Sequence, residues 1–233
     1  MHHIGIVGVS PEGAALFYRQ LTRHASKLLP EGEQPRVSVH NEPLQQYIDA
    51  IRFDDWHTVG RLLRRSAELL ARCGAEFCLT PDNAVQHAIQ LAEVGSPIPW
   101  LATTDLVAQA VATDQRKMVG LIGTKLVMHS STYQTPLGLR GIRVLPPEPD
   151  EADALDRIIY GELIYGHIRP DSKRFMFEVL TRLAERGCEG IILGCSEAPL
   201  VVTAENSPLP VYDPGEILAL AGIRRTIAPA ASA

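Results

Sequence analysis

Cys195 stands between Gly194 and Ser196 in the stretch CEGIILGCSEAPL, after a short apolar run. A thiol there can be a small core hydrophobe or a proton carrier, since reduced cysteine is both commonly buried and chemically reactive. A second stretch, LARCGAEFCLTPDN at 70–83, lines up without a gap against LAERGCEGIILGCS at 183–196. That alignment sets Asp82 opposite Cys195. Asp82 also has two readings, as the N-cap of a helix beginning at NAVQ and as an acid–base group, and the two are compatible.

The elements that must position these residues repeat as well. GIVG at 5–8 recurs as GLIG at 120–123, an offset of 115 residues against 113 for the Asp82/Cys195 pair. Spacing this long excludes a solenoid and points to two related βα lobes. Short aliphatic runs alternate with helical patterns from end to end, the signature of an α/β fold with a mostly parallel sheet. Strands are predicted at HIGIVG, RVSVHN, AEFCLTP, IPWLA, KMVGLIG, GIRVL, EGIILG and LPVYD. Helices are predicted over 10–29 (Ser10 as N-cap, Pro11 at the first helical position), 54–74 (closed by Gly74) and 83–94. Further helices are expected over 104–114, 126–137, 150–166 and 171–186, from Ser196, and at the C-terminus. The tail APAASA is expected to be disordered. In this scheme Asp82 and Cys195 each lie just past the carboxyl end of a parallel strand and at a helix start, where open α/β sheets bind ligands.

Composition narrows the function classes. The chain has 233 residues, 45% of them hydrophobic, enough for one large domain or two lobes. A net charge of -5 with dispersed basic residues offers no phosphate-tracking surface, so nucleic acid is not an expected partner. No apolar run approaches the roughly 18–20 residues of a membrane span, and MHHIGIVG lacks the form of a secretory leader; a cytoplasmic protein is expected. Cys73, Cys78, Cys188 and Cys195 include no CxxC pair, and the histidines include no HExxH, so neither disulfides nor a metal are expected.

The sequence resembles the aspartate/glutamate racemase superfamily, whose members work without pyridoxal phosphate. IGIVGVSPEGAALFYRQL, VGLIGTK, IIYGELIYGHIRPDS, GAEFCLTPDNAVQ and GCEGIILGCSEAPL carry the likeness and cover nearly the whole chain in order. The resemblance implies two Rossmann-like lobes with parallel sheets related by pseudo-twofold symmetry and an active site in the cleft between them. It places the N-terminal lobe at 1–103 and 207–233, with the last strand and helix returning to it, and the C-terminal lobe at 104–206. It further implies a homodimer, no cofactor, and a small carboxylic or amino acid as substrate. In that family a cysteine ends each matched strand, in patterns like P-C-N-T-x-H and G-C-T-E; one removes the α-proton and the other reprotonates from the opposite face.

By this resemblance Cys195 is catalytic, with Ser196 in the place of threonine and Glu197 retained. The first motif departs: it reads Pro81-Asp82-Asn83-Ala84-Val85-Gln86, so the facing partner of Cys195 is Asp82. Reference values of about 3.9 for Asp and 8.5 for Cys separate their proton affinities by roughly 6 kcal/mol, which makes aspartate the weaker base. Asn83, Thr124 and Ser196 are expected to donate to the substrate carboxylate, and Asn41 to line the pocket; Thr124 can equally cap the helix that follows, and Asn83 can be a turn residue. Lys125 and Glu197 read as solvated or structural. Where acidic-amino-acid racemases carry an arginine and a lysine for the distal carboxylate, this chain has Ile48 and Ile164, which implies a neutral side chain on the substrate. A decarboxylase or cis–trans isomerase using Cys195, and a non-catalytic small-acid-binding paralogue, are the competing readings.

Overall fold

The computed structural model describes residues 1–228. They form two compact units, Met1–Thr103 with the segment from Leu218 onward, and Thr104–Ile217. The expected disorder of APAASA falls mostly on 229–233, outside the described residues.

The first unit is built on a three-stranded parallel sheet of β1 (Ile4–Gly8), β2 (Val37–Asn41) and β3 (Phe77–Leu79), with β1 in the middle. β1 and β3 are buried throughout, as strands covered on both faces must be, whereas the edge strand β2 is partly exposed. Between β1 and β2 runs α1 (Pro11–Leu28). Ser10 caps it by accepting the Gly13 N–H at 3.3 Å, and Gly13, Ala14, Phe17, Gln20, Leu21 and Ala25 form its buried stripe. After β2 come α2 (Leu44–Arg52), which the sequence reading lacked, and α3 (Trp56–Arg72), capped by Asp55 through the Thr58 N–H at 3.0 Å. α3 ends at Gly74, whose φ of 91° is one that L side chains rarely adopt.

The helix expected over 83–94 is instead a 3₁₀ turn at Gln86–Ala88 followed by the short α4 (Ile89–Glu93), and the strand expected at IPWLA is an isolated bridge from Trp100 to Cys78. Side-chain bonds within 80–86, described below, hold that segment in a turn.

The second unit starts within α5 (Thr103–Thr113) and contains β4 (Met118–Gly123), α6 (Lys125–His129), α7 (Ser131–Gly138), β5 (Arg143–Leu145), α8 (Pro149–Gly161), α9 (Pro170–Glu185), β6 (Ile191–Gly194) and β7 (Val211–Tyr212). Its parallel sheet has the order β5-β4-β6-β7. The helix expected over 126–137 is broken at Ser130, which caps α7 through the Thr132 N–H. α8 stops at Gly161, short of the expected 166, and a 3₁₀ turn covers Leu163–Tyr165.

The expectation that residues 207–217 return to the first lobe is corrected. Val211 and Tyr212 pair with Ile191 and Ile192, and the Tyr212 hydroxyl donates to Asp114 at 2.7 Å, so β7 completes the second sheet. Only the later part of α10 (Pro214–Ile227) belongs to the first unit: Gly222 packs near Leu79 and Leu21, and the Arg225 guanidinium lies 5.0 Å from the Phe77 ring centre.

The two sheets share one register. Gly5 pairs with Cys78 and Ile6 with Leu79 in the first; Gly120 pairs with Ile191 and Leu121 with Ile192 in the second. These are the pairs that the 113- and 115-residue offsets superpose. Asp82 and Cys195 therefore each follow, by four residues, the equivalent position of the equivalent strand.

Candidate functional site

In the first unit, Asp82 is carried by the turn that leaves β3. It is 9% exposed, and its Oδ1 accepts the Ala84 N–H at 3.0 Å, so the capping role read from the sequence is real, although what it caps is a turn. Its own N–H lies 3.4 Å from Thr80 Oγ1. The Gln86 carboxamide donates to the carbonyls of both Thr80, at 3.2 Å, and Asp82, at 3.0 Å, while the Thr103 hydroxyl reaches the Thr80 carbonyl at 3.4 Å. The glutamine that replaces histidine in the family pattern is thus a backbone brace. Asn83, next in the chain, is buried.

Asn41 ends β2 in register with Gly8, and its carboxamide lies over that glycine: a Cβ at position 8 would sit 2.4 Å from it. Ile48 is half-buried on α2, one residue after Tyr47, which has no exposed surface. Burial pushes the Tyr47 hydroxyl above the ordinary phenol range; Ser66 beside it opposes this, and the Asp82 and Glu42 carboxylates add to it. Glu42, itself buried, pairs with Arg65 at 3.1 Å. Arg52, next to the expected pocket, is exposed.

In the second unit, β4 and β6 end side by side, Gly123 against Gly194. No side chain fits there, since a Cβ on Gly123 would lie 2.7 Å from the Gly194 carbonyl oxygen. Thr124 and Cys195 are the next residues on these neighbouring strands. Thr124 caps α6 by accepting the Val127 N–H at 3.4 Å, which leaves its hydroxyl hydrogen to donate elsewhere. Cys195 is 6% exposed, and its Sγ lies 3.0 Å from Glu197 Oε2. The Ser196 hydroxyl donates to the same oxygen at 3.1 Å. The helix expected from Ser196 is a 3₁₀ turn at Ala198–Leu200 with Pro199 inside it, so the aligned dipoles that a full helix would place beside the thiol are largely missing.

Of the two readings of Glu197, solvated or structural, the structure supports the second. Glu197 is 2% exposed, not solvated, and its Oε1 has no hydrogen-bond partner among the described residues. Its retention within the matched GCSE motif was the available signal; its charge argued the other way. Ile164 is half-buried in the 3₁₀ turn after α8. The neighbouring Arg169 is exposed and faces Glu162, with Nε 3.9 Å from its carboxylate, and Ser172 donates to Glu162 at 2.8 Å. Among the described residues no group of histidine, cysteine and carboxylate side chains could hold a metal ion.

A thiol and a carboxylate thus stand at matching strand ends, each in its own unit and each beside a polar turn. The family model for Asp/Glu/hydantoin racemases matches residues 6–221. The chain belongs to this family. Its backbone also follows solved racemase-family structures over nearly its full length. A candidate Asp/Glu racemase from Yersinia pestis is 28% identical, with a TM-score of 0.86 and coverage of 98% of this chain and 100% of that one. An aspartate racemase homologue from Pyrococcus horikoshii OT3 (24% identity, TM-score 0.80, coverage 97% and 99%) and the Picrophilus torridus aspartate racemase (19%, 0.81, 97% and 94%) share the fold. The α/β architecture with two parallel sheets is therefore that of the racemase family, and no helix among the described residues is long and apolar enough to cross a membrane.

Proposed function

We propose that the chain is a cofactor-independent racemase or epimerase that moves the α-proton of an amino acid or related carboxylic acid with a neutral side chain, Asp82 and Cys195 serving opposite faces of one carbon. The observation that carries this is the shared register, which puts both residues at the same step beyond the same strand of two matching sheets in a racemase-family chain. In this reading one group takes the α-proton, the C–H electron pair passes into the substrate carboxylate as an enediolate, and the other group delivers a proton from the far side. Asn83 and Thr124 donate to the carboxylate as charge builds on it. Ser196 can do so only by releasing Glu197, to which its hydroxyl is committed. The half-buried Ile48 and Ile164 would face the substrate side chain, with Asn41 at the rim. The working form is a homodimer in the cytoplasm.

Solvent deuterium entering the α-position, followed by NMR over a panel of amino acids and carboxylic acids, tests the proposal. Exchange without carbon loss on a neutral substrate, abolished in Cys195→Ala, is the expected result. Release of CO₂ would assign the decarboxylase reading, and ligand-induced thermal stabilisation with neither reaction would assign the non-catalytic one. Exchange persisting in Cys195→Ala would remove the thiol from the mechanism.

A further inference from the structure

We infer that Glu197 is a positioning residue that holds Cys195 as a protonated thiol, so that in the resting protein the second site is set as the acid. The inference deepens the proton-transfer reading and rests on it for its catalytic meaning, but the contact itself lies wholly within the second unit. Cys195 Sγ is 3.0 Å from Glu197 Oε2, and both side chains are more than nine-tenths buried. Oε2 accepts from both the thiol and the Ser196 hydroxyl, so the hydrogen in this contact belongs to the sulfur. Ionising the thiol would break that bond and leave two anions 3.0 Å apart in a poorly solvated place.

The surroundings do not reverse this. The Ser196 hydroxyl satisfies the same Oε2, and the 3₁₀ turn that follows is too short to bring a helix dipole to bear. On the neighbouring elements, Lys125 of α6 is exposed and paired with Asp153, and His129 of α6 is exposed. Tyr133 of α7 stays neutral through burial, reinforced by Asp213. Tyr212 of β7 is bonded to Asp114 and Arg116. Asp213 accepts the Gly215 N–H at 2.8 Å, and the lone pairs of Thr124 accept from Val127.

Catalytically, a thiol on one face requires the opposite group to start as the base. The first step from the resting protein then breaks the substrate C–H bond on the Asp82 face, forming an O–H bond on that carboxyl. Next the Cys195 S–H bond breaks on the other face, leaving its electron pair on sulfur and placing a proton on the α-carbon. The reverse turnover needs the product form, with Asp82 protonated and Cys195 ionised beside Glu197, which is the costly state. Exchange should therefore be faster from the enantiomer that presents its α-hydrogen to Asp82.

The test reads the thiol directly. Alkylation of Cys195 by iodoacetamide, followed peptide by peptide across a pH series on the folded wild-type protein, should have its midpoint above the value of about 8.5 for a free cysteine. In Glu197→Gln, which removes the charge but keeps the shape, the midpoint should fall by about one pH unit or more, with roughly tenfold faster alkylation at neutral pH. Glu197→Asp should restore a high midpoint. A wild-type midpoint at or below that of free cysteine would overturn the inference, as would an unchanged midpoint in a Glu197→Gln protein whose circular dichroism and Tm match wild type. Should Glu197→Gln fail to fold, Glu197→Ala read the same way replaces it, and a wild-type midpoint at or below that of free cysteine still overturns the inference. Because no turnover is needed, an absence of α-proton exchange would sink the proposed function while leaving this result intact.

Discussion

Replacing Asp82 by asparagine separates the two things this side chain can do. Asparagine keeps an oxygen that can accept the Ala84 N–H, now bonded to Oδ1 at 3.0 Å, but it cannot hold a proton in turnover. Alanine loses both. Leaving the Ala84 N–H without its acceptor in a part-buried turn costs about 1 kcal/mol, which in a chain of this size lowers Tm by about 2–4 °C. Loss of a general base costs about 10²- to 10⁴-fold in rate. The expected pattern is a Tm close to wild type for Asp82→Asn and a lowered one for Asp82→Ala, with α-proton exchange reduced by at least about a hundredfold in both. Calorimetry and solvent-deuterium exchange on the same samples supply the two readouts. Wild-type exchange in Asp82→Asn would reduce Asp82 to a turn cap and refute the paired mechanism, whatever the stability data gave.

Gly123→Ala should destabilise the second unit by about 1–3 kcal/mol or more, read as a lowered urea midpoint, because the new methyl would meet the Gly194 backbone at 2.7 Å with no flexible side chain to give way. The double variant Ile48→Arg/Ile164→Lys should raise α-proton exchange on aspartate or glutamate by about tenfold, equivalent to about 1.4 kcal/mol of transition-state binding; no gain would place the substrate side chain elsewhere. Stability should fall as pH rises above about 9. Burial raises Cys78 first, then Tyr47 and Tyr133, so the unfolded chain releases protons that the folded one keeps; this contribution is intact below the ordinary thiol and phenol values and is lost above them. Chemical denaturation over an alkaline pH series checks the slope.

The elements with local signals were legible in the sequence. α1 has its Ser10 cap and Pro11, α3 has a strong apolar stripe and Gly74, and the buried β1, β4 and β6 are near-continuous apolar runs. α2 was not, because it starts after Pro43 without a side-chain cap and is only nine residues long. The helices expected after Asp82 and Cys195 gave way to 3₁₀ turns for reasons that pattern does not encode: Gln86 bonds backward to two carbonyls, and Pro199 sits inside the second turn. β7 has two residues and owes its place to its neighbour Ile191–Ile192. The internal repeat located Asp82 and Cys195 correctly within their sheets, since register survives sequence drift when both faces of a strand are buried. The choice between the solvated and the structural reading of Glu197 rests on burial of its carboxylate, a tertiary fact invisible to composition.

The Gln86 brace has a mechanical consequence. One carboxamide holds the carbonyls on either side of Pro81, so turning the peptide that carries Asp82 strains or breaks at least one of the two bonds. A ring of this kind stiffens the turn, and it fixes the aim of the carboxylate by backbone architecture as well as by side-chain rotamer.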